Sequence, residues 1–177
     1  MGHYMFRARA LLVALSVVAL TAMQARAGEK EKEPDAILEI GGSGNWSLSD
    51  PFSFGPTAAI EFTPIENWLE IEVGTGPMFG KGISEWDTDI LFKKPFTLSD
   101  KVEFMIGAGP QWGSAFNGST KAGVEIAGDF MFWPSPDRKL GWFLEPSYSY
   151  SFFGGHEQSL GVNVGLLIPI YENHAGR

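Results

Sequence analysis

The sequence predicts an all-β fold: an eight-stranded antiparallel up-and-down barrel preceded by a cleaved signal peptide. Three observations carry this. Apolar and polar residues alternate at period two along the chain after residue 35, and no window there keeps a 3.6-residue period. Clusters of Gly, Pro, Ser, Asn and Asp separate the alternating runs. The first 27 residues read as an export leader.

The 177 residues, with a formal charge of −8, suit one domain behind a processed leader. The absence of Cys excludes a disulfide scaffold, a thiolate zinc site, a cysteine nucleophile and a lipid-modified N-terminal Cys. The acidic balance argues against a nucleic-acid partner, whose phosphates demand a basic face. At 14%, aromatic residues are too plentiful for a disordered acidic chain.

In chain order, Arg7 and Arg9 supply a positive region, Leu11 to Met23 an apolar run, and Ala25-Arg26-Ala27 a small-x-small cleavage signature. The expected cut lies between Ala27 and Gly28, leaving a barrel domain of residues 28–177 with strands over about 36–170. The apolar run is shorter than the roughly 20 residues of a spanning helix. The leader carries three arginines and no acid, so its removal takes the charge from −8 to −11. Gly28 to Asp35 reads as a solvated lead-in.

Eight alternating segments follow, at 36–44, 54–64, 68–78, 85–94, 102–112, 121–132, 141–152 and 159–170. In the fifth, Val102, Phe104, Ile106, Ala108, Pro110 and Trp112 share one face, opposite Glu103, Met105, Gly107, Gly109 and Gln111. The eighth sets Leu160, Val162, Val164, Leu166, Ile168 and Ile170 against Gly161, Asn163, Gly165 and Leu167. Expected turn formers include Thr63-Pro64, Pro95 with Ser99-Asp100, Asn117-Gly118-Ser119, Pro134 to Asp137, and Gly154-Gly155. Mid-strand Pro146 removes a ladder donor, which predicts a bulge. Gly74-Thr75-Gly76-Pro77-Met78-Phe79-Gly80 matches Gly107 to Gly113 at an offset of 33, one hairpin length of a meander. No helix follows either copy, as a phosphate loop would require.

Alternation does not say which face is the interior. Three features turn the apolar face toward lipid. Trp68, Trp86, Trp112, Trp133 and Trp142 sit at strand ends, where headgroup-level aromatic girdles belong. In up-and-down order Trp86 and Trp112 share one rim, and Trp68, Trp133 and Trp142 the other. The polar face is rich in Gly, Ser and Ala, as a narrow lumen requires. The apolar face is bulky on every strand and would overfill a small barrel from within. The competing architecture is a soluble, periplasmic lipocalin-like barrel holding an apolar ligand.

With the apolar face outward, Glu39, Glu61, Glu70, Glu72, Glu103, Glu125 and Glu145 point inward as a lumen carboxylate ring, joined by Asp87, Asp89, Asp129 and the single cation Lys93. A hydrated structural network is the simplest reading, because small-barrel interiors are polar. A cation- or proton-selective narrow pore is the sharper one, motivated by the excess of one sign. No metal site is expected: without inward His, oxygen-only ligation suits calcium or magnesium at best.

The whole segment after the leader resembles the small outer-membrane β-barrel proteins of Gram-negative bacteria, the OmpA/OmpX-like eight-stranded barrels. The most specific match is Asn163-Val164-Gly165-Leu166-Leu167-Ile168-Pro169-Ile170, with Asn163, Gly165, Ile168 and Ile170 in the pattern of that family's assembly signal. Many members end on an aromatic residue, whereas here Tyr171 is followed by Glu172 to Arg177. The resemblance implies residence in the cell outer membrane, with lipid and the barrel-assembly machinery as partners, and termini facing the periplasm. The connections near 45–53, 79–84, 113–120 and 153–158 would then be extracellular and moderately longer than the periplasmic turns.

The expected role is structural or surface-interacting, by a monomer without catalysis or cofactor. His156, with Glu157 and Ser159, is the one conceivable catalytic cluster, but its spacing does not match the His-x-Ser pattern of lipid A deacylases, and triad chemistry needs an oriented base. Asn45-Trp46-Ser47 and Asn117-Gly118-Ser119 match a glycosylation sequon but read as turn residues.

Overall fold

A computed structural model of the chain describes residues 34–47, 51–153 and 156–171. The expected leader, the cleavage point and the tail after Tyr171 lie outside the described residues. Eight strands follow one another: β1 Ala36–Ser47, β2 Ser53–Ile65, β3 Leu69–Gly80, β4 Ile83–Ser99, β5 Val102–Ala115, β6 Thr120–Phe132, β7 Gly141–Phe153 and β8 Gln158–Ile170. Each pairs antiparallel with the next, and β1 pairs with β8 from Ala36↔Ile170 to Ser47↔Ser159, closing the barrel. Closure leaves no free sheet edge.

Period-two alternation becomes inside and outside. Ile40, Ile60, Phe92, Ile106, Ile126, Val164 and Leu166 are exposed on the outer wall, while Glu39, Glu61, Glu72, Asp129 and Glu145 are buried within. Rows of rings border the outer band near each end. Toward the chain termini, Phe96, Phe104 and Phe130 follow one another across β4, β5 and β6, and Phe132 stacks on Trp142 at 3.9 Å. At the opposite, loop end, Trp46, Phe52 and Phe54 pack in sequence, and the Trp86 indole N–H donates to Thr75 Oγ1 at 2.6 Å. Trp86, Trp112 and Trp142 are exposed on the outer wall, and Trp68 is exposed in the turn just before β3.

Trp133 is the exception and corrects the girdle expectation. It is 1% exposed and lies inside the barrel. Phe132 faces outward, so the next residue turns inward by alternation. Residue type pointed to the rim; parity decided.

Pro95 does not end a strand: β4 runs through it to Ser99, with Pro95↔Met105 in register. Thr63-Pro64 likewise falls within β2, at a register shift between Phe62 and Ile65. Pro146 carries no bulge, since Glu145↔Asn163, Pro146↔Val162 and Ser147↔Gly161 are continuous. A strand residue bonds to one neighbour only, so a missing donor matters on one side. The ladder to β6 passes from Ala127↔Ser147 to Phe130↔Leu144 in unchanged register, skipping the level of Pro146. Pro56, Pro77 and Pro110 sit at similar gaps in one ladder, each with its opposite ladder unbroken.

The loop-end connections are 48–52, 81–82, 116–119 and 154–157; those at the other end are 66–68, 100–101 and 133–140. The longest connection therefore lies at the terminal end, contrary to expectation. Pairing continues toward the loop end further than the alternation suggested, as in Glu85↔Ala115 and Ser47↔Ser159.

Candidate functional site

Among the described residues, chemistry-bearing side chains converge in the lumen, which has three levels. The middle level is built on β4. Lys93, 1% exposed, reaches across the barrel and donates to Glu72 of β3, to Glu145 of β7 at 2.6 Å and to Asp129 of β6 at 3.2 Å, with Glu61 of β2 at 3.7 Å. Glu145 also accepts from Asn163 Nδ2 at 2.9 Å. Glu39 completes the group: one of its carboxylate oxygens and one each from Glu61, Glu72 and Asp129 lie within 4.8 Å of one another.

The flanking strands make room for these side chains. A Cβ on Gly107 would stand 2.6 Å from Lys93 Cγ, one on Gly74 2.7 Å from Asp89 Oδ1, and one on Gly113 2.8 Å from Asp87 Oδ1. The internal repeat thus places glycines of β3 and β5 on both sides of β4, the strand that carries Asp87, Asp89 and Lys93 inward. The two copies are a spatial allowance, one on each flank.

Below this level, toward the termini, Ile37, Met105, Met131, Trp133, Phe143 and Leu167 form a buried apolar cluster inside the barrel. Trp133 Nε1 donates to Glu103 at 3.2 Å; Glu103 pairs with Arg138 at 2.9 Å; and the Arg138 guanidinium lies 5.5 Å from the Trp133 ring centroid. Arg138 stands in the left-handed region at φ 44° in the 133–140 connection. That connection folds a cap onto the plug.

Above the charged level are two polar cavities of about 40 and 60 Å³, each with space for a few waters. The lower is lined by Asp87, Asp89, Gln111, Glu125, Ser147 and Asn163. The upper reaches Glu85, Lys121 and Glu157 at the mouth. Lys121 bonds Glu157 at 2.8 Å, and their side chains are 31% and 22% exposed.

Of the seven carboxylates expected to form the ring, the structure gathers Glu39, Glu61, Glu72 and Glu145 about Lys93. Glu70 is opposite Lys93 in the β3–β4 register, Glu103 is carried down to the cap, and Glu125 stands above in the lower cavity. Asp129 joins as a full member. The sequence reading missed the apolar plug, although Met105, Phe143 and Leu167 share inward parity with the acids.

The possible catalytic cluster is taken apart by the wall itself. His156 Nδ1 meets Tyr150 Oη at 3.1 Å beside an outward-facing ring, whereas Ser159 Oγ shares a 2.7 Å hydrogen bond with Ser149 inside, and Glu157 is held by Lys121. Asn117 is a turn residue, its Oδ1 accepting from the Ser119 amide and hydroxyl. Asn163 serves the lumen network, and Gly165 faces Gly41 across the closing seam.

No protein-family model matches the chain, and no curated protein matches it in sequence. Solved structures do match in shape. Neisserial surface protein A aligns with a TM-score of 0.61 at 13% identity over 79% of this chain and 100% of its own. The outer membrane protein OprG of Pseudomonas aeruginosa gives 0.61 at 9% identity over 80% and 98%. The N-terminal barrel domain of OprF from the same organism gives 0.56 at 13% over 77% and 100%. The protein therefore has the fold of the eight-stranded outer-membrane β-barrels.

Proposed function

We propose that this protein resides in the cell outer membrane as a monomeric, non-catalytic barrel with a closed lumen, serving a structural or surface-interaction role. The observation that carries this reading is the inversion of its two faces: large apolar side chains outside, charged ones within. In water that exterior would be an aggregation surface, while in a bilayer it is solvated. Strands of 12 to 17 residues exceed the roughly 9–11 that a tilted crossing needs. Lys94 supports the depth of the band: its ammonium donates to the Asn67 carbonyl oxygen at the terminal rim and lies 5.9 Å from the Phe96 ring centroid, as a snorkelling lysine would.

The termini face the periplasm in this reading, and β8 is the strand presented to the barrel-assembly machinery. Loop-end connections of two to five residues offer little chain to shape into a ligand grip. Whatever meets the outer surface meets the rim itself, where Phe116 and Phe153 are 64% and 69% exposed. A through-pore for cations is disfavoured by the apolar plug beneath Lys93. A lipocalin-like role is disfavoured because the cavities found are small and polar.

Cell fractionation followed by boiled and unboiled electrophoresis tests the reading. Recovery in the outer membrane with a mobility shift on boiling is expected; recovery in the soluble periplasm would reverse the assignment of the faces to lipid and water. Planar-bilayer recordings should show no cation-selective steps.

A further inference from the structure

We propose that the lumen holds a hard divalent cation, calcium or magnesium, between Glu39, Glu61, Glu72 and Asp129, beside Lys93. The four side chains come from four strands, and one carboxylate oxygen of each lies within 4.8 Å of the others, the spread that ligands of one ion occupy. A cluster of acids alone would not point to an ion. The second observation is that Lys93 does not use it up. Glu39, 2% exposed, forms no ion pair with Lys93, and its Oε1 has no hydrogen-bond partner. Asp129, 0% exposed, gives Oδ2 to Lys93 and leaves Oδ1 without a partner. Buried, unpartnered carboxylate oxygens in one cluster are costly unless something positive meets them.

The charge balance leads the same way. With Glu145 the cluster sets five carboxyl groups against one ammonium, so a fully ionised group keeps four negative charges in excess. A divalent ion halves that excess and supplies a centre for oxygens the lysine leaves idle. The donors are all oxygen, which selects calcium or magnesium over the softer transition metals. Access comes from the loop end, through the cavities lined by Glu85, Asp87, Asp89 and Glu125. Asn163 both lines the lower cavity and bonds Glu145, joining the path to the cluster. The plug closes the other side, so this is a blind site.

The test is calorimetric titration of the folded barrel in detergent micelles, stripped with EDTA, using calcium chloride and magnesium chloride separately. One saturable site per chain is expected for at least one ion. Glu39→Gln keeps every ion pair of Lys93 and should weaken binding by about tenfold or more, whereas Glu157→Gln at the mouth should change it by less than about twofold. Lys93→Met removes the competing cation and should tighten binding wherever the variant folds. Heat-shift electrophoresis verifies the folding of each variant, and Asp129→Asn replaces Glu39→Gln if the latter does not fold. Absence of saturable binding to the folded parent protein overturns the proposal. So does binding that the folded ligand variant leaves unchanged, which would place the ion on the rim or among the detergent.

Discussion

Five strands, β1 and β5 to β8, contribute inward side chains to both halves of the lumen, yet the halves are filled by different means. Toward the termini, Met105, Met131, Trp133, Phe143 and Leu167 pack as a dry core inside the barrel. Toward the loops, Gly, Ser, Asn and carboxylates surround two small polar cavities. Lys93 and its acids stand at the boundary. The comparison teaches that an inward position in a narrow barrel has no fixed chemistry. Where the bore is filled, side chains satisfy one another by packing; where it is not, water does so.

The largest expected effect lies at the boundary. Lys93→Met would leave buried carboxylates without their ammonium and should cost about 3–5 kcal/mol, read as a lower urea midpoint for unfolding from micelles. Leu167→Ala, in the plug, should cost about 3 kcal/mol by opening a cavity among Met131, Phe143 and Trp133. Trp133→Phe keeps most of the packing but removes the donor to Glu103, which retains Arg138, so about 1 kcal/mol is expected. Asp87→Asn, in the cavities, should lie within about 0.5 kcal/mol of the parent. A cost for Asp87→Asn equal to that of Leu167→Ala would erase the distinction between the halves. Brominated lipid sharpens the contrast from outside: in variants that keep a single one of the six tryptophans, it should quench the fluorescence of Trp112 and spare that of Trp133.

Much of this architecture is legible in the sequence because a strand buried on one side repeats with a period of two. All eight strands, their order and their two faces follow from that rule. Strand ends are less legible, because Pro95 reads as a breaker although β3 has already ended opposite Lys93 and leaves no second ladder for it to interrupt. Trp133 marks a different limit: its residue type favours the rim, while its parity sets it inside. The inward direction of Lys93 and its acids is readable, but their meeting is not. Contacts across the bore between β4 and β7 depend on the stagger of the closed sheet, and local alternation carries no record of it. The plug is hard to read for a related reason: its members are scattered singly over five strands and the 133–140 connection.

The central claim, a lumen wet at the loop end and closed at the other, can be tested through cysteine accessibility, because the chain contains no cysteine of its own. Ser151→Cys lines the upper cavity and Met131→Cys lies in the plug. A small methanethiosulfonate added to the folded protein should modify the first within minutes and reach the second only after unfolding. Equal, rapid modification of both would mean that water fills the whole bore, and the closed-lumen account would be wrong.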